Sequence, residues 1–447
     1  MAASISRDRA LCSAVMTERR ALPAIHRLFP QVYYGWFVVG GTFLQLMVCV
    51  GIGFYSQQVL VDALPAVHHF ERVEVSAASS LFFLLTGLFG FGIGPLVDRA
   101  GARGFIFFGA LIQAIALIWI GRLDSTAELP LAFALLAFGF ALSTSVPTGA
   151  LLTRWFIARR ALATTLSQTG VSVGGAFMIP IATYWILHEG LAVTTAGLAI
   201  TIVLVTIPVV IFILRWDPRA YGLEPDGSLE WVRKNRHLSL SVQHREWQRR
   251  EALQTSTFWK LCLAFGFGLA AQVGMIAHQL AALSEQIPRE TAMWGGSLVP
   301  IGSVVGRLIV GSVADRFEKR RVAIGLFLLQ GLGILAFSFS TSPVSLFAST
   351  ALFGLTIGSI FMLQSLITAD LFGIPSFGRV FGAVQLGSQL ISSTGPLMVG
   401  WLFTVYGHYP AALRWLALSS ILGAAVLSQV HGPTENTTEP RDAASVQ

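Results

Sequence analysis

Arg307 stands inside the apolar stretch VVGRLIVGSVADRFEKRR (304–321), eight residues before the first charge of the burst that ends it. An arginine at the centre of a membrane-crossing helix costs about 2.5–3.5 kcal/mol on insertion scales, so a partner should offset it. At a rise of about 1.5 Å per residue it lies roughly 12 Å inside the boundary marked by Asp315, near the midplane of a core about 30 Å thick. No carboxylate is placed to neutralise it: Asp62, Glu285 and Asp370 fall near the ends of apolar runs, and the other acidic residues lie in loops or tails. A structural arginine in a membrane usually has a carboxylate to pair with, whereas one kept without a partner suits an anionic ligand that supplies the missing counter-ion. The competing readings are satisfaction by backbone carbonyls and water, or snorkelling to the interface.

Neutral polar side chains in the apolar runs could orient the hydroxyl or carbonyl groups of a small ligand without adding charge. The candidates are Tyr55 and Gln57, Ser143, Thr144 and Ser145, Gln168 and Ser172, Gln272, Gln364, and Gln385 with Gln389. Hydrogen bonding between helices is the competing explanation for each. His278 is the titratable side chain near a cavity-facing stretch, and with an ordinary pKa near 6.5 it could carry a proton; a plain interfacial histidine is the alternative. Neither paired carboxylates, a nucleophile with a base, nor a metal cluster appears in the runs, so no enzyme activity, metal or cofactor is expected. Cys12, Cys49 and Cys262 offer neither a paired framework nor metal-ligand spacing.

The elements that must position these residues are membrane helices. With 54% hydrophobic and only 12% charged residues and a mean hydropathy of +0.68, the chain is not a soluble globule. Runs long enough to cross as helix fall near 33–55, 75–97, 104–122, 130–152, 161–186, 192–214, 257–280, 292–313, 322–340, 344–369, 380–404 and 411–430. Twelve spans put both termini on one side. With the N-terminus inside, cytoplasmic segments hold 25 of the 30 basic residues, which places both termini in the cytoplasm. The net charge of +7 therefore reads as topology, with no call for a nucleic-acid partner. The expected organisation is an N-terminal cytoplasmic arm (1–32), a first six-helix half (33–214), a cytoplasmic central loop (215–256), a second half (257–430) and a disordered tail (431–447). The arm lacks the apolar core and cleavage site of a removable signal peptide, and the sequon at Asn436 would face the cytoplasm.

An internal repeat ties the halves together. GPLVDRAGAR (94–103) recurs as GSVADRFEKR (311–320), aligning Gly94 with Gly311, Asp98 with Asp315, Arg99 with Arg316 and Arg103 with Arg320 at a constant offset of 217. The same offset carries Gln168 and Gly170 onto Gln385 and Gly387. Charge pairs near water open cheaply, so an aspartate opposite an arginine there can latch helices that part in every cycle. The competing reading is that these charges only enforce topology. Neighbouring glycines let helices approach closely.

The pattern Gly, three residues, Asp-Arg, one residue, Gly, one residue, Arg resembles the cytoplasmic signature of the major facilitator superfamily. Gly94, Asp98, Arg99, Gly101 and Arg103 match every fixed place, and the second copy departs at Glu318. The resemblance implies an all-α membrane protein of twelve transmembrane helices in two pseudo-symmetric halves, which exposes its substrate alternately to each side. VVGRLIVGSVADRF, together with YYGWFVVGGTFLQLMVCVGIGFYS (33–56) and FWKLCLAFGFGLAAQVGMIAHQLAAL (258–283), resembles the monocarboxylate transporter and oxalate/formate antiporter branch. There the arginine equivalent to Arg307 contacts the substrate carboxylate. Ser303 stands where animal monocarboxylate transporters have an aspartate, the first-helix lysine has no counterpart among Phe54, Tyr55, Ser56 and Gln57, and Gln385, Ser388 and Gln389 replace the antiporter's lysine. One cation suits one carboxylate. The expectation is a monomeric carrier of a small organic monocarboxylate in the plasma (inner) membrane, with proton symport. The alternatives are export of a neutral or hydrophobic metabolite or drug, and a membrane sensor built on the transporter fold.

Overall fold

The computed structural model describes residues 31–157, 159–226, 247–314, 317–373 and 377–431. Most of the N-terminal arm, Asp315, Arg316, residues 227–246 of the central loop and the tail from 432 onward, Asn436 included, lie outside the described residues. Apart from one isolated bridge between Phe156 and Asp226, the described chain is helix and connecting turns. The first half comprises α1 (Gly35–Gly53), α2 (Ser56–His68), α3 (Arg72–Ala100), α4 (Ala102–Ile120), α5 (Leu129–Ser143), α6 (Ser145–Trp155), α7 (Arg160–Glu189) and α8 (Leu191–Pro208). A short α9 (Arg249–Leu253) precedes the second half: α10 (Ser256–Ser284), α11 (Arg289–Ala314), α12 (Lys319–Phe339), α13 (Pro343–Phe372), α14 (Phe377–Ser392), α15 (Thr394–Tyr406) and α16 (Tyr409–Ser428).

Among the described residues, eleven helical segments are long and apolar enough to cross a membrane. The expected span at 380–404 is the exception, because it is split at Ser393 into α14 and α15, of 16 and 13 residues, each too short to cross alone. The expected span at 33–55 ends at a break, Phe54–Tyr55, beyond which α2 continues it, and the one at 130–152 is broken at Thr144 between α5 and α6. In a bilayer such breaks are tolerated only where protein or a water-lined cavity covers the freed backbone. At the first of them Phe54 N–H still reaches the Val50 carbonyl at 2.9 Å.

The repeat seen in the sequence is a repeat of structure. Helices α3, α4 and α7 begin at Arg72, Ala102 and Arg160, and α11, α12 and α14 begin at Arg289, Lys319 and Phe377, each 217 residues later. The turn after α3 needs Gly101 at φ +84°, a region that favours glycine, whereas Glu318 in the second copy turns the chain at φ −58°. The departure from the signature is thus a different turn, and it frees a carboxylate that pairs with Arg320 at 3.0 Å and Arg321 at 2.8 Å.

Within the halves the closest packing joins α1 to α7, α4 to α5, α11 to α13 and α12 to α16. The halves meet through α7 against α11, α3 against α14 and α15, and α2 against α10. The start of the central loop is held to the first half, where Tyr33 donates its hydroxyl to the carbonyls of Trp155 (2.9 Å) and Glu224 (3.1 Å).

Candidate functional site

Small residues bring α11 and α13 together around Arg307. A Cβ at Gly302 would lie 3.0 Å from the Gly354 carbonyl carbon, one at Gly354 would lie 2.9 Å from the Val299 oxygen, and one at Gly306 would overlap the Leu355 carbonyl. This is the small-xxx-small packing of membrane helices, read here as Gly302/Gly306 against Gly354/Gly358. One turn further along, the arginine guanidinium lies against Gly358, where a Cβ would be 2.8 Å from both Nε and Nη2. Arg307 is half-buried and interacts electrostatically with Tyr55, which sits at the α1–α2 break and packs on Gly175 of α7. Among the described residues no hydrogen bond or salt bridge ends on the guanidinium.

Ser303 lies one turn before Arg307 on the same face and its hydroxyl is 3.0 Å from that of Ser172 on α7, a contact between the halves. Gln389, the repeat equivalent of Ser172, also reaches across the halves, but donates to the Phe83 carbonyl at 2.9 Å. Tyr55 and Gln272 are also related by the repeat, and the buried Gln272 leaves its Nε2 without a partner. Gln168 and Gln385 are half-buried and Ser145 is exposed.

Other candidates hold the helices to one another. Gln57 is buried and accepts from Ser79 at 3.0 Å, and Gln364 donates to Ser388 at 2.9 Å. Ser143 accepts from Gln113 at 2.6 Å and Thr144 bonds back to the Phe140 carbonyl at 2.7 Å.

The two ends of the interface between the halves differ. At the end remote from the Asp98–Arg99 signature, contacts cross from half to half. Arg289 pairs with Asp62 at 3.1 Å, and Asp62, only 7% exposed, lies inside the extended first span, farther from its end than expected from sequence. Arg72 donates to the Tyr409 hydroxyl at 2.8 Å and lies over the Phe403 ring at 4.7 Å. His278, the proton-coupling candidate, is fully buried, with Nδ1 3.3 Å from that same hydroxyl and Nε2 3.0 Å from the Pro396 carbonyl and 3.2 Å from the Ser76 hydroxyl. These partners assign the neutral tautomer that donates from Nε2 and accepts the Tyr409 proton at Nδ1. Leu397 N–H donates to Ser80 at 2.8 Å. Just outside α10, partial burial pushes the Glu285 carboxyl above its ordinary range, while the Tyr409 N–H and the charges of Arg72 and His408 pull it back.

At the signature end the charges described bind within their own half. Arg103 donates to the Val210 carbonyl at 3.1 Å, and Arg154 pairs with Asp217 at 3.6 Å. Lys319 pairs with Asp370 at 2.8 Å, and Arg320 with Glu318 and the Val430 carbonyl. Asp98 and Arg99 are exposed, and a Cβ at Gly94 would meet nothing within 4 Å. Gly311 lies in the last turns of α11, while its fellow gate candidates Asp315 and Arg316 lie outside the described residues. The far end is tied across the halves, whereas the ion pairs described at the signature end stay on their own side.

Reading the sequence missed Gly358, the Asp62–Arg289 pair and the Arg72–Tyr409–His278 chain. The glycine spacings GSVVG (302–306) and GLTIG (354–358) were a visible sign of close helices, but which glycine would face a guanidinium was not.

A family profile described as Major Facilitator Superfamily matches residues 43–284 and again 261–446. Among curated relatives, monocarboxylate transporter 13 of Bos taurus is 24% identical over 405 residues, covering 89% of each chain. The agnestins efflux protein AgnL12 of Paecilomyces divaricatus is 24% identical over 336 residues, 75% of this chain and 72% of that one. The membrane sensor protein UhpC of Salmonella typhimurium is 24% identical over 387 residues, 83% of this chain and 85% of that one.

Proposed function

The chain belongs to the major facilitator superfamily, a family of multi-pass membrane transporters, and from that premise we propose that it carries a small organic monocarboxylate by alternating access. The observation that carries this reading is Arg307, half-buried between the halves beside Tyr55, with no protein hydrogen-bond or ion-pair partner among the described residues. A carboxylate offers two acceptor oxygens to a guanidinium fork, and charge-assisted bonds of this kind are about twice as strong as neutral ones. The Tyr55 phenol and the free Nε2 of Gln272 supply neutral donors for a hydroxyl or keto group on the same ligand.

In this reading the state with the far-end contacts made is the one open at the signature end. With the basic residues facing the cytoplasm, that state is inward-facing and the protein sits in the plasma (inner) membrane. Passage to the other state requires the signature-end charges to meet and the far-end contacts to part. His278 connects the second step to a proton. Protonation at Nδ1 removes the acceptor for the Tyr409 hydroxyl and places a cation beside Arg72, so the Arg72–Tyr409–His278 chain opens when His278 is charged. Symport of one proton with one monocarboxylate anion follows, and a single copy of the chain contains every group used.

A second reading is favoured by the aromatic rings around Tyr55, where Phe54, Phe83, Phe82 and Phe140 form a run of edge contacts, and by the efflux protein among the relatives. In it the substrate is neutral and lies on these rings. The test is accumulation of labelled lactate, pyruvate, branched monocarboxylates, oxalate and a neutral sugar in proteoliposomes with an inward proton gradient, for the native protein beside Arg307→Gln. Accumulation of a monocarboxylate that Arg307→Gln abolishes supports the first reading. Equal transport by both proteins, or movement of neutral compounds alone, sinks it.

A further inference from the structure

We propose that Gly358 is the positioning residue for Arg307: the hydrogen at 358 leaves the slot on α13 in which the guanidinium stands, and any side chain there would move the cation off its site. The proposal rests on the reading of Arg307 as the anion site and adds to it the residue that sets where the charge is held. Gly302, Gly306 and Gly354 all abut backbone of the facing helix, so a methyl group at any of them pushes α11 and α13 apart. At Gly358 the nearest atoms belong to a flexible side chain, and the facing backbone, at the Ser303 carbonyl, comes third. Two of the three nearest atoms to a Cβ there are Nε and Nη2 of Arg307, both at 2.8 Å, and the third is the Ser303 carbonyl oxygen at 3.0 Å.

The head of an arginine is the mobile end of a long side chain, and it gives way far more cheaply than a helix backbone does. Alanine at 358 therefore displaces the guanidinium and leaves the fold standing. A displacement of about 1 Å at a binding group can cost on the order of a hundredfold in a process that depends on its geometry. The bidentate grip on a planar carboxylate is that kind of geometry. The slot also accounts for the absence of a protein partner on Arg307: packing against α13, with no counter-charge, holds the cation in place and leaves its hydrogen bonds to the ligand.

The test uses the full chain in proteoliposomes and detergent. Concentration dependence of uptake is measured, for the monocarboxylate of the panel that the native protein accumulates fastest, with native protein and Gly358→Ala. Unfolding midpoints are measured for these two, for Gly306→Ala, for Arg307→Gln and for the double variant Arg307→Gln/Gly358→Ala. The expected result is a KM raised about tenfold to a hundredfold in Gly358→Ala, with maximal rate per folded molecule and midpoint near native, while Gly306→Ala loses stability. With the guanidinium gone, the two 2.8 Å contacts vanish and only the Ser303 carbonyl at 3.0 Å has to give by a few tenths of an ångström, so the double variant melts close to Arg307→Gln alone. An unchanged KM in Gly358→Ala, or a midpoint that falls as far as in Gly306→Ala, overturns the positioning role even where Arg307→Gln has lost transport. If Arg307→Gln transports like the native protein, the anion-site reading fails instead, and the melting comparison of the double variant still decides whether the guanidinium fills the slot.

Discussion

Helices α3 and α11 are the same element of two repeated halves, and they do opposite things at their midpoints. Offset by 217, Ser303, Gly306 and Arg307 of α11 fall on Thr86, Phe89 and Gly90 of α3. Opposite them, Gly354 and Gly358 of α13 fall on Ala137 and Ala141 of α5. The second half thus has a glycine seam that lets two backbones touch and leaves a slot for a guanidinium. In the first half alanines stand at the equivalent places of α5, and a Cβ at Gly90 would find its nearest neighbour, Val146, at 3.7 Å. Across the interface Ser303 bonds Ser172, whereas the Thr86 hydroxyl is buried without a partner and Gln389, the equivalent of Ser172, turns to the Phe83 carbonyl. A duplicated scaffold does not require duplicated chemistry: one half has taken the charge, and the other supplies the neutral wall beside it.

The largest effect is expected at the charge itself. Arg307→Gln should lower carboxylate uptake by about a hundredfold or more, since truncating one partner of a buried charge pair costs about 2–5 kcal/mol. Gly90→Ala, at the equivalent place, should leave uptake near native. Equal losses from both would erase the difference between the halves. Next comes the seam, where Gly306→Ala should cost about 1–3 kcal/mol of stability through overpacking against the Leu355 carbonyl. Phe89→Leu at the equivalent place of α3 should cost less, and unfolding midpoints decide it.

Smaller again is Asp62→Asn, which removes the partner of Arg289 at the far end and tilts the population toward the state open there. A cysteine placed at the buried Ser297 of α11 should then react several-fold faster with a membrane-impermeant maleimide, and an unchanged rate means that the pair does not hold the end closed. The smallest effect concerns Glu285. Its carboxyl is pushed up by partial burial, so the folded protein binds that proton more readily than the unfolded chain does, and stability contributed this way is present at low pH and lost as pH rises through the raised value. Glu285→Gln should therefore flatten the acid side of the stability profile, whereas a profile that keeps its slope assigns the dependence to other groups.

Much of this was legible in the residues. The spans could be read because the lipid core demands about twenty apolar residues per crossing, and the helix starts at Arg72, Arg289, Ala102 and Lys319 fall within a few residues of those expected. The repeat was legible because its offset is constant, and the family could be recognised from the first signature. Arg307 stood out because a charge in an apolar run has no bland compositional explanation. The breaks at Phe54–Tyr55, Thr144 and Ser393 were not read, although polar residues and prolines mark them in Tyr55-Ser56-Gln57, Ser143-Thr144-Ser145 with Pro147, and Ser392-Ser393-Thr394 with Pro396; a polar cluster inside an apolar run signals a lining or an interhelical bond as readily as a break. Nor were the partners of His278, which come from α3, α15 and α16, up to 202 residues away in the chain.

The sequence by itself determined that this chain crosses the membrane repeatedly as helix, that it is built twice, and where a mid-span cation lies, because hydropathy, periodicity and repetition are properties of the chain taken in order. Only the tertiary structure decided that Arg307 rests against Gly358, that Gln57 and Gln364 bond to Ser79 and Ser388, and that the far end is tied by Asp62, Arg72 and His278. Each of these is a distance between residues that sequence order leaves far apart, and such distances exist only once the two halves have packed.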